Sequence, residues 1–192
     1  MNMNGVTKKA LMLTMLLSLA ACNSIPQNIK GNNQPDIQKN FISVHNQPGL
    51  YKGQQARFGG KVINVINTKD DTILEIAVLP LNSYAKPQIG TSYQGRILAQ
   101  HKGFLDPINY RNHFVTILGT IQGDEQGFID KVPYDFVKVK LQGIQIWHLT
   151  DSVNTTTYNL WDYGYGPFWP EPGWGVPYYT NSVTQVTPEL IR

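Results

Sequence analysis

The residue with the most specific chemistry in the sequence is Cys22, the one cysteine among 192 residues. It follows Leu19, Ala20 and Ala21, and this Leu-Ala-Ala-Cys run resembles the lipobox of bacterial lipoprotein precursors. There the thiol sulfur accepts a diacylglyceryl group as a thioether, and small residues let the signal peptidase hold the backbone closely. Cleavage frees the amine of the cysteine for a third acyl chain. We therefore predict lipidation at Cys22. The alternative is an ordinary secreted protein with a leftover cysteine in its signal peptide.

The residues before Cys22 have the layout of a secretory signal peptide. Lys8 and Lys9 precede an apolar run of 12 residues, Ala10 to Ala21, that ends in small side chains. This run is too short to span a bilayer, which takes about 20 apolar residues. We expect residues 1–21 to be removed and Cys22 to become the first residue. Two or more acyl chains hold a protein stably on a membrane, so the anchor would be permanent.

The other residue types that carry chemistry are scattered. The four histidines, at 45, 101, 113 and 148, lack the close spacing of metal ligands, and no second thiol accompanies them. Ser92 lacks the Gly-x-Ser-x-Gly pattern of an exposed nucleophile. Glu75 lies in a predicted strand without an identifiable carboxylate partner. We therefore predict no metal site, no cofactor and no enzymatic activity.

An aromatic cluster near the C-terminus is the second distinctive feature. Residues 158–179 contain nine aromatic residues among prolines and glycines. One interpretation is that this tail wraps the domain and closes its core, because large apolar patches are seldom left exposed. The other is a contact surface, since Trp and Tyr favour the headgroup level of membranes and stack on sugar faces. The candidate contact residues are Trp161, Tyr163, Tyr165, Phe168, Trp169 and Trp174.

The charge balance gives no sign of a polyanionic partner. Removing residues 1–21 takes away Lys8 and Lys9, which leaves 14 Lys and Arg against 13 Asp and Glu. A near-neutral chain without a basic cluster releases few counterions from nucleic acid. We therefore expect no nucleic-acid partner.

Composition divides the processed chain into three parts. Residues 22–40 are rich in Asn, Gln and Pro, which predicts a lipidated flexible tether with a reach of roughly 25 Å. Residues 41–150 carry the apolar alternation of a folded domain, and residues 151–192 form the aromatic tail, which we expect to pack on that domain.

The pattern of the domain predicts an all-β fold. Five segments alternate with period two, and none shows a sustained helical period. We expect a bulge or bend at Gly59-Gly60, a register shift near Gly143, and one short helical turn within residues 101–112. These features favour a five-stranded antiparallel OB-like barrel over an immunoglobulin-like sandwich, which needs about seven strands. The five predicted strands span 56–67, 72–81, 95–100, 113–123 and 136–149.

The stretches 24–41, 44–65, 103–123 and 158–181 resemble the Slp family, starvation-inducible outer-membrane lipoproteins of enteric bacteria. The resemblance implies lipidation at Cys22, processing and sorting by the lipoprotein machinery, and an anchor in the lipid of the outer membrane. Asn23 agrees with that destination, because lipoproteins kept at the inner membrane usually carry aspartate after the cysteine. The family implies induction at starvation and stationary phase, with a non-enzymatic role in stabilising the cell envelope. A module that binds a glycan or small solute through the barrel face and aromatic tail is the alternative.

Overall fold

The structure, a computed structural model, describes residues 24–32, 37–159 and 180–192. Six strands dominate these residues. Three helices of six residues or fewer precede the first strand, and a fourth lies between the third and fourth strands. The strands are β1 Gln55–Asn67, β2 Asp71–Leu79, β3 Gly95–Lys102, β4 Phe114–Ile129, β5 Val132–Asn159 and β6 Thr180–Ile191. The helices are α1 Gln27–Lys30, α2 Phe41–Asn46, α3 Pro48–Tyr51 and α4 Pro107–Tyr110.

The first five strands curl into a partly closed ring. Antiparallel pairs join β3 to β2, β2 to β1, β1 to β4 and β4 to β5. The ring is completed by a short parallel contact in which residues 97–100 of β3 pair with 137–140 of β5. The ring is one curled sheet and not the two facing sheets of an immunoglobulin-like sandwich. The prediction of an all-β domain is therefore confirmed.

The inside of the ring is filled by alternate residues of all five strands. Leu74, Ile76 and Val78 of β2 are buried there together, as their period-two spacing predicts. The same alternation buries Val137 and Val139 of β5, while Lys140, between Val139 and the partly buried Leu141, stays exposed.

Register shifts between β1 and β2 and between β4 and β5 bend the strands around the ring. Residues of β1 pair with β4 over Gln55–Lys61 and with β2 over Gly59–Asn67, so the two glycines lie where both neighbours are present. A Cβ on Gly60 would overlap the carbonyl oxygen of Ala77, so this position requires glycine. The bulge predicted at Gly59-Gly60 lies further along the strand, where the register shifts between Val62 and Asn64. The predicted shift in β5 is confirmed beside Gly143, where Gln142 has no partner in β4.

Short helices cover the ring and its connections. The Asn40 side chain caps α2 by accepting a hydrogen bond from the backbone N–H of Ser43 at 3.1 Å, and Phe41 and Val44 of this helix enter the main core. These helices were not predicted, because six residues are too few for a helical period. The predicted turn between β3 and β4 is confirmed as α4, which Asp106 caps through the N–H of Ile108.

The number of strands differs from the prediction. A sixth strand, β6, pairs with residues 148–159 of β5 in twelve consecutive antiparallel pairs. We call this pair the β5–β6 hairpin. Its polar Thr, Ser, Asn and Gln residues hide the strand pattern in the sequence, and Pro188 is tolerated because β6 is an edge strand. Within the described residues, no helix is long and apolar enough to cross a membrane.

Candidate functional site

The segment that precedes the barrel lies against its outer surface. Residues 24–31 cross β1, β4 and β5, and the side chain of Ile29 is completely buried. This differs from the predicted flexible tether over 22–40, at least for the residues described. The segment is polar overall, yet it docks through one apolar side chain, that of Ile29. This side chain lies where a buried arginine side chain contacts the end of α1.

That guanidinium belongs to Arg57 of β1, which is only 4 % exposed. Its Nε donates a hydrogen bond to the carbonyl oxygen of Ile29 at 2.7 Å, and a terminal nitrogen donates to that of Lys30. These carbonyls belong to the last turn of α1, where the helix has no internal donors left for them. Burial lowers the pKa of Arg57, because desolvation disfavours the charged form. Arg57 therefore satisfies the end of α1 and holds the segment on the barrel.

Contacts on both sides of Arg57 fix the path of the segment. The Asn28 side chain donates to the carbonyl oxygen of Ile144 at 2.5 Å. A Cβ on Gly143 would overlap the Asn28 carbonyl, so only glycine allows this approach. Nearer the N-terminus, the carbonyl oxygen of Ser24 accepts a hydrogen bond from the Arg192 guanidinium at 2.7 Å. Followed backwards from Asn28 to Ser24, the chain thus runs along β5 towards the base of the β5–β6 hairpin.

A second apolar cluster fills the space beneath this segment, outside the ring. Its buried members are Ile29, Ala85, Leu118, Trp147 and Leu190. The cluster joins the N-terminal segment, the loop after β2, the outer face of β4 and β5, and the end of β6. We call it the outer cluster. Both the N-terminal segment and the end of β6 pack on the barrel through this cluster, so they lie on the same side of it.

A separate cleft of about 430 Å³ lies on the outer surface of β1, β2 and β3. Lys61, Ala77 and Arg96 point into it from the three strands, opposite the buried positions of the ring. Ile129 and Tyr134, which flank the turn between β4 and β5, form one wall, and the half-exposed Tyr93 forms another.

The cleft presents cations beside aromatic rings. Arg96 makes a bridge of 2.7 Å to Glu75, which leaves this pair nearly neutral. No described acidic side chain lies within 4 Å of the Lys61 ammonium, so Lys61 is the cation left to bind a ligand. The Tyr134 hydroxyl accepts a hydrogen bond from the backbone N–H of Arg96 at 3.0 Å, which fixes that ring.

The predicted site residues mostly lie outside the described part of the chain. Cys22 with Leu19, Ala20, Ala21 and Asn23 precedes residue 24, and the candidate contact residues Trp161, Tyr163, Tyr165, Phe168, Trp169 and Trp174 fall between residues 159 and 180. The structure therefore tests neither the lipidation site nor the aromatic surface.

Other singled-out residues have plain structural surroundings. Glu75 pairs with a cation, Ser92 is exposed in a loop, and the ring centroids of His113 and His148 lie 6.2 Å apart. Among residues 24–32, 37–159 and 180–192, no three His, Cys, Asp or Glu side chains come together as metal ligands.

Comparison with known proteins identifies the group to which the chain is related. The model of the Outer membrane lipoprotein Slp family matches residues 19–179. The chain belongs to the Slp family of outer membrane lipoproteins. It is 74 % identical over 188 residues to the outer membrane protein Slp of Escherichia coli K12, which covers 98 % of this chain and all of that protein. The predicted family and an outer-membrane, lipid-anchored location are thus confirmed.

More distant relatives carry less informative names. The uncharacterized lipoprotein YeaY of Escherichia coli K12 is 41 % identical over 189 residues, covering 95 % of this chain and 97 % of the relative. An uncharacterized protein of Haemophilus influenzae is 30 % identical over 135 residues, about 70 % of either chain. No solved structure matches the Slp-family chain.

Sequence reasoning missed the cleft and the parts that Arg57 and Gly143 play in docking the N-terminal segment. Arg57 stands in a strand whose alternate residues face outwards, so it reads as an exposed cation. A usable signal was present in Ile25 and Ile29, which are four residues apart in an otherwise polar segment and both join the outer cluster. The cleft had no such signal, because its wall residues come from five separate segments.

Proposed function

We propose that the protein is a non-enzymatic component of the cell envelope, held in the outer membrane by acyl chains on Cys22. The signal peptidase removes residues 1–21, and the sorting machinery delivers the lipidated chain with Asn23 as the sorting residue. The protein acts at starvation and stationary phase, when it reinforces the envelope. Its partners in this role are membrane lipid and the lipoprotein machinery.

The observation that best supports attachment close to the membrane is the docking of residues 24–31 on the barrel by Arg57. A free tether would let the barrel drift by the reach of the whole linker. Docking from Ser24 onwards leaves Asn23 as the one residue between Cys22 and the docked segment, and each residue spans at most about 3.6 Å. The barrel would then sit close to the lipid, with one defined side towards it, as suits a protein that acts on the envelope itself.

Intact mass spectrometry of the protein purified from outer membranes tests this proposal. We expect a chain that begins at Cys22 and carries three acyl groups. The variant Cys22→Ser should accumulate as an uncleaved, non-acylated precursor. A mature chain with a free thiol, or a cut at another residue, would rule out the attachment. Loss of envelope integrity in stationary-phase cells that lack the protein, restored by wild type and not by Cys22→Ser, tests the stress role.

The cleft supports a second candidate function, the binding of an envelope glycan. The ring order, with β1 paired to β2 and β4 and β3 parallel to β5, favours an OB-like barrel. OB-folds bind oligosaccharides and oligonucleotides on the face of strands 2 and 3, between loops that include the one joining strands 4 and 5. The cleft occupies the corresponding place, since β2 and β3 form its floor and the β4–β5 turn one wall.

The lining residues favour an acidic sugar as ligand. Tyr93 and Tyr134 offer aromatic faces, and the Lys61 ammonium lies beside them. Aromatic rings stack on the apolar faces of sugars, whereas a lysine ammonium attracts a carboxylate or phosphate. One unpaired cation among the described residues of the cleft gives too little counterion release for a nucleic acid.

Glycan binding is tested by titrating a hexuronic-acid oligosaccharide into the Cys22→Ser chain, made from residue 22 onwards without the signal peptide, and recording NMR spectra. We expect chemical-shift changes confined to the residues of the cleft. The affinity should fall about tenfold in Tyr93→Ala, the loss typical of one stacking contact. The neutral hexose analogue should bind more weakly, as should the acidic sugar to Lys61→Gln. Tyr84→Ala and Lys52→Gln, which alter exposed residues away from the cleft, are the matched controls. Equal binding by all variants, or none by wild type, would eliminate this function.

A further inference from the structure

Among the described residues, no third strand pairs with the β5–β6 hairpin where it leaves the barrel. Pairing of β5 with β4 ends at Trp147, and the next twelve residues of β5 pair with β6 alone. At about 3.3 Å per residue the hairpin is roughly 35 Å long. A two-stranded hairpin is marginally stable in water on its own. All side chains from 182 to 189 are exposed, so a stable hairpin of this length needs a surface to lie on.

The two faces of the hairpin differ in polarity. Because side chains alternate, the paired residues Leu149–Leu190, Asp151–Pro188 and Val153–Val186 share one face. Leu149, Val153 and Val186 on this face are each more than half exposed. The opposite face carries mostly polar pairs, Thr150–Glu189, Ser152–Thr187 and Asn154–Gln185, with the exposed Val183 and Ile191 at its two ends. We call the first the apolar face and the second the polar face.

The apolar face continues directly from the outer cluster. Trp147 and Leu190 belong to that cluster, and Leu149 follows Trp147 on the same side of β5. Residues 24–29 cover the cluster and run along β5 towards the hairpin, where Ser24 is bonded to Arg192 beside the last residue of β6. Cys22 is two residues before Ser24 and therefore within about 7 Å of it. The membrane anchor thus leaves the barrel on the side of the apolar face.

We propose that the apolar face of the β5–β6 hairpin lies on the lipid bilayer that holds Cys22, as a second membrane contact. This inference rests on the proposed lipidation at Cys22. Both outer edges of the hairpin lack backbone partners among the described residues, and open edges are not tolerated within hydrocarbon. The hairpin therefore lies at headgroup level, where water satisfies its edges and the polar face points away from the lipid. The acyl anchor keeps the hairpin at high local concentration at the membrane surface. Weak apolar contacts are therefore enough to hold the hairpin on the lipid.

Site-specific fluorescence quenching on the lipidated full chain tests the contact. Cys22 is acylated, so a cysteine introduced by Val153→Cys or Val186→Cys is the one free thiol available to an NBD label. The protein is reconstituted in vesicles of phosphatidylethanolamine and phosphatidylglycerol that contain a phospholipid with a nitroxide near the headgroup. Asn154→Cys and Gln185→Cys place the label on the polar face of the same hairpin. Phe128→Cys places it beside the opposite end of β5, where Phe128 pairs with Pro133.

Strong quenching at positions 153 and 186, with little at 154, 185 and 128, is the expected result. Equal quenching on the two faces, or none on either, would overturn the proposal. Protection of 153 and 186 that depends on protein density and not on nitroxide lipid would identify a second copy as the occupant and would also overturn it. Failure of lipidation is distinguishable, because intact mass spectrometry of the reconstituted chain would then show Cys22 without acyl groups.

A binding measurement gives an independent check that does not need labels. A non-acylated Cys22→Ser chain that begins at residue 22, and so lacks the apolar signal peptide, should bind the same vesicles weakly through the hairpin alone. Val153→Thr/Val186→Thr keeps β-branched side chains and should weaken this binding about tenfold, in line with the lost apolar burial. Asn154→Thr/Gln185→Thr is the matched control and should bind like the parent. Equal affinity of both double variants would contradict a contact through the apolar face.

Discussion

The indole Nε1 of Trp147 donates a hydrogen bond to the hydroxyl oxygen of Thr116 at 2.9 Å. Thr116 in turn donates to the carbonyl oxygen of Ala85 at 2.6 Å, and all three residues are buried. Trp147 and Ala85 belong to the outer cluster, and Thr116 faces it from β4. This relay ties the loop after β2 to the base of the β5–β6 hairpin. The outer cluster is therefore held by directional bonds as well as by apolar contact.

Breaking the relay at its centre should destabilise the protein measurably. Thr116→Val leaves the Trp147 N–H and the Ala85 carbonyl without partners, and we expect a loss of about 2 kcal/mol. Trp147→Phe removes the donor and some volume and should cost a similar amount. The double variant should lose less than the sum, because the orphaned indole N–H is gone. Urea unfolding of the Cys22→Ser chain measures all three, and strict additivity would mean that the bond contributes nothing.

Replacing Arg57 should release the N-terminal segment. Arg57→Met keeps much of the buried aliphatic volume but removes both donors to the end of α1, so we expect about 2–4 kcal/mol lower stability. Trypsin should then cut after Lys30 sooner than in the parent chain. Arg111→Met changes an exposed arginine and serves as control. Unchanged cleavage in Arg57→Met would mean that other contacts hold the segment.

A methyl group at Gly143 should have a narrower effect. Gly143→Ala places a Cβ against the carbonyl oxygen of Asn28, and the N-terminal segment must move while the ring stays paired. We expect faster hydrogen exchange for residues 24–31 with little change in β1 to β4. Gly49→Ala, where a Cβ meets no atom within 4 Å, is the matched control. Exchange that rises throughout the barrel would show that Gly143 supports the ring itself.

Residue 23 should decide the final membrane. With Asn23 the protein should sediment with outer-membrane markers, and Asn23→Asp should move it to the inner-membrane fraction. Asn23→Gln keeps a neutral amide and should leave the distribution unchanged. Sucrose-density fractionation of stationary-phase cells measures this. If Asn23→Asp stays with the outer membrane, another residue directs sorting.

Removing the hairpin should weaken the barrel without unfolding it. Truncation after Thr150 eliminates Leu190 from the outer cluster but leaves every strand pair of the ring. We expect a stability loss of about 2–5 kcal/mol, the usual cost of losing one buried leucine. Leu190→Ala should reproduce most of it, and the exposed Val183→Ala should not. Complete unfolding of the truncated chain, followed by circular dichroism, would mean that the tail closes the main core.

The sequence by itself determined the features that depend on neighbours in the chain. Period-two alternation at Leu74, Ile76 and Val78 predicted a buried strand face, because residue identity and strand geometry suffice for that. The predictions of a signal peptide and of lipidation at Cys22 needed no fold either, because such processing signals are linear segments of sequence.

Tertiary structure decided whatever depends on residues that are distant in sequence. Ile29 is buried only because Arg57, 28 positions later, supplies donors for the helix end. The cleft exists only because ring closure brings Lys61, Arg96 and Tyr134 together. The sixth strand was missed because its polar residues carry no burial pattern, and backbone pairing with β5 alone makes it a strand. Pairing and docking energies arise between segments, and no local window of sequence contains both partners.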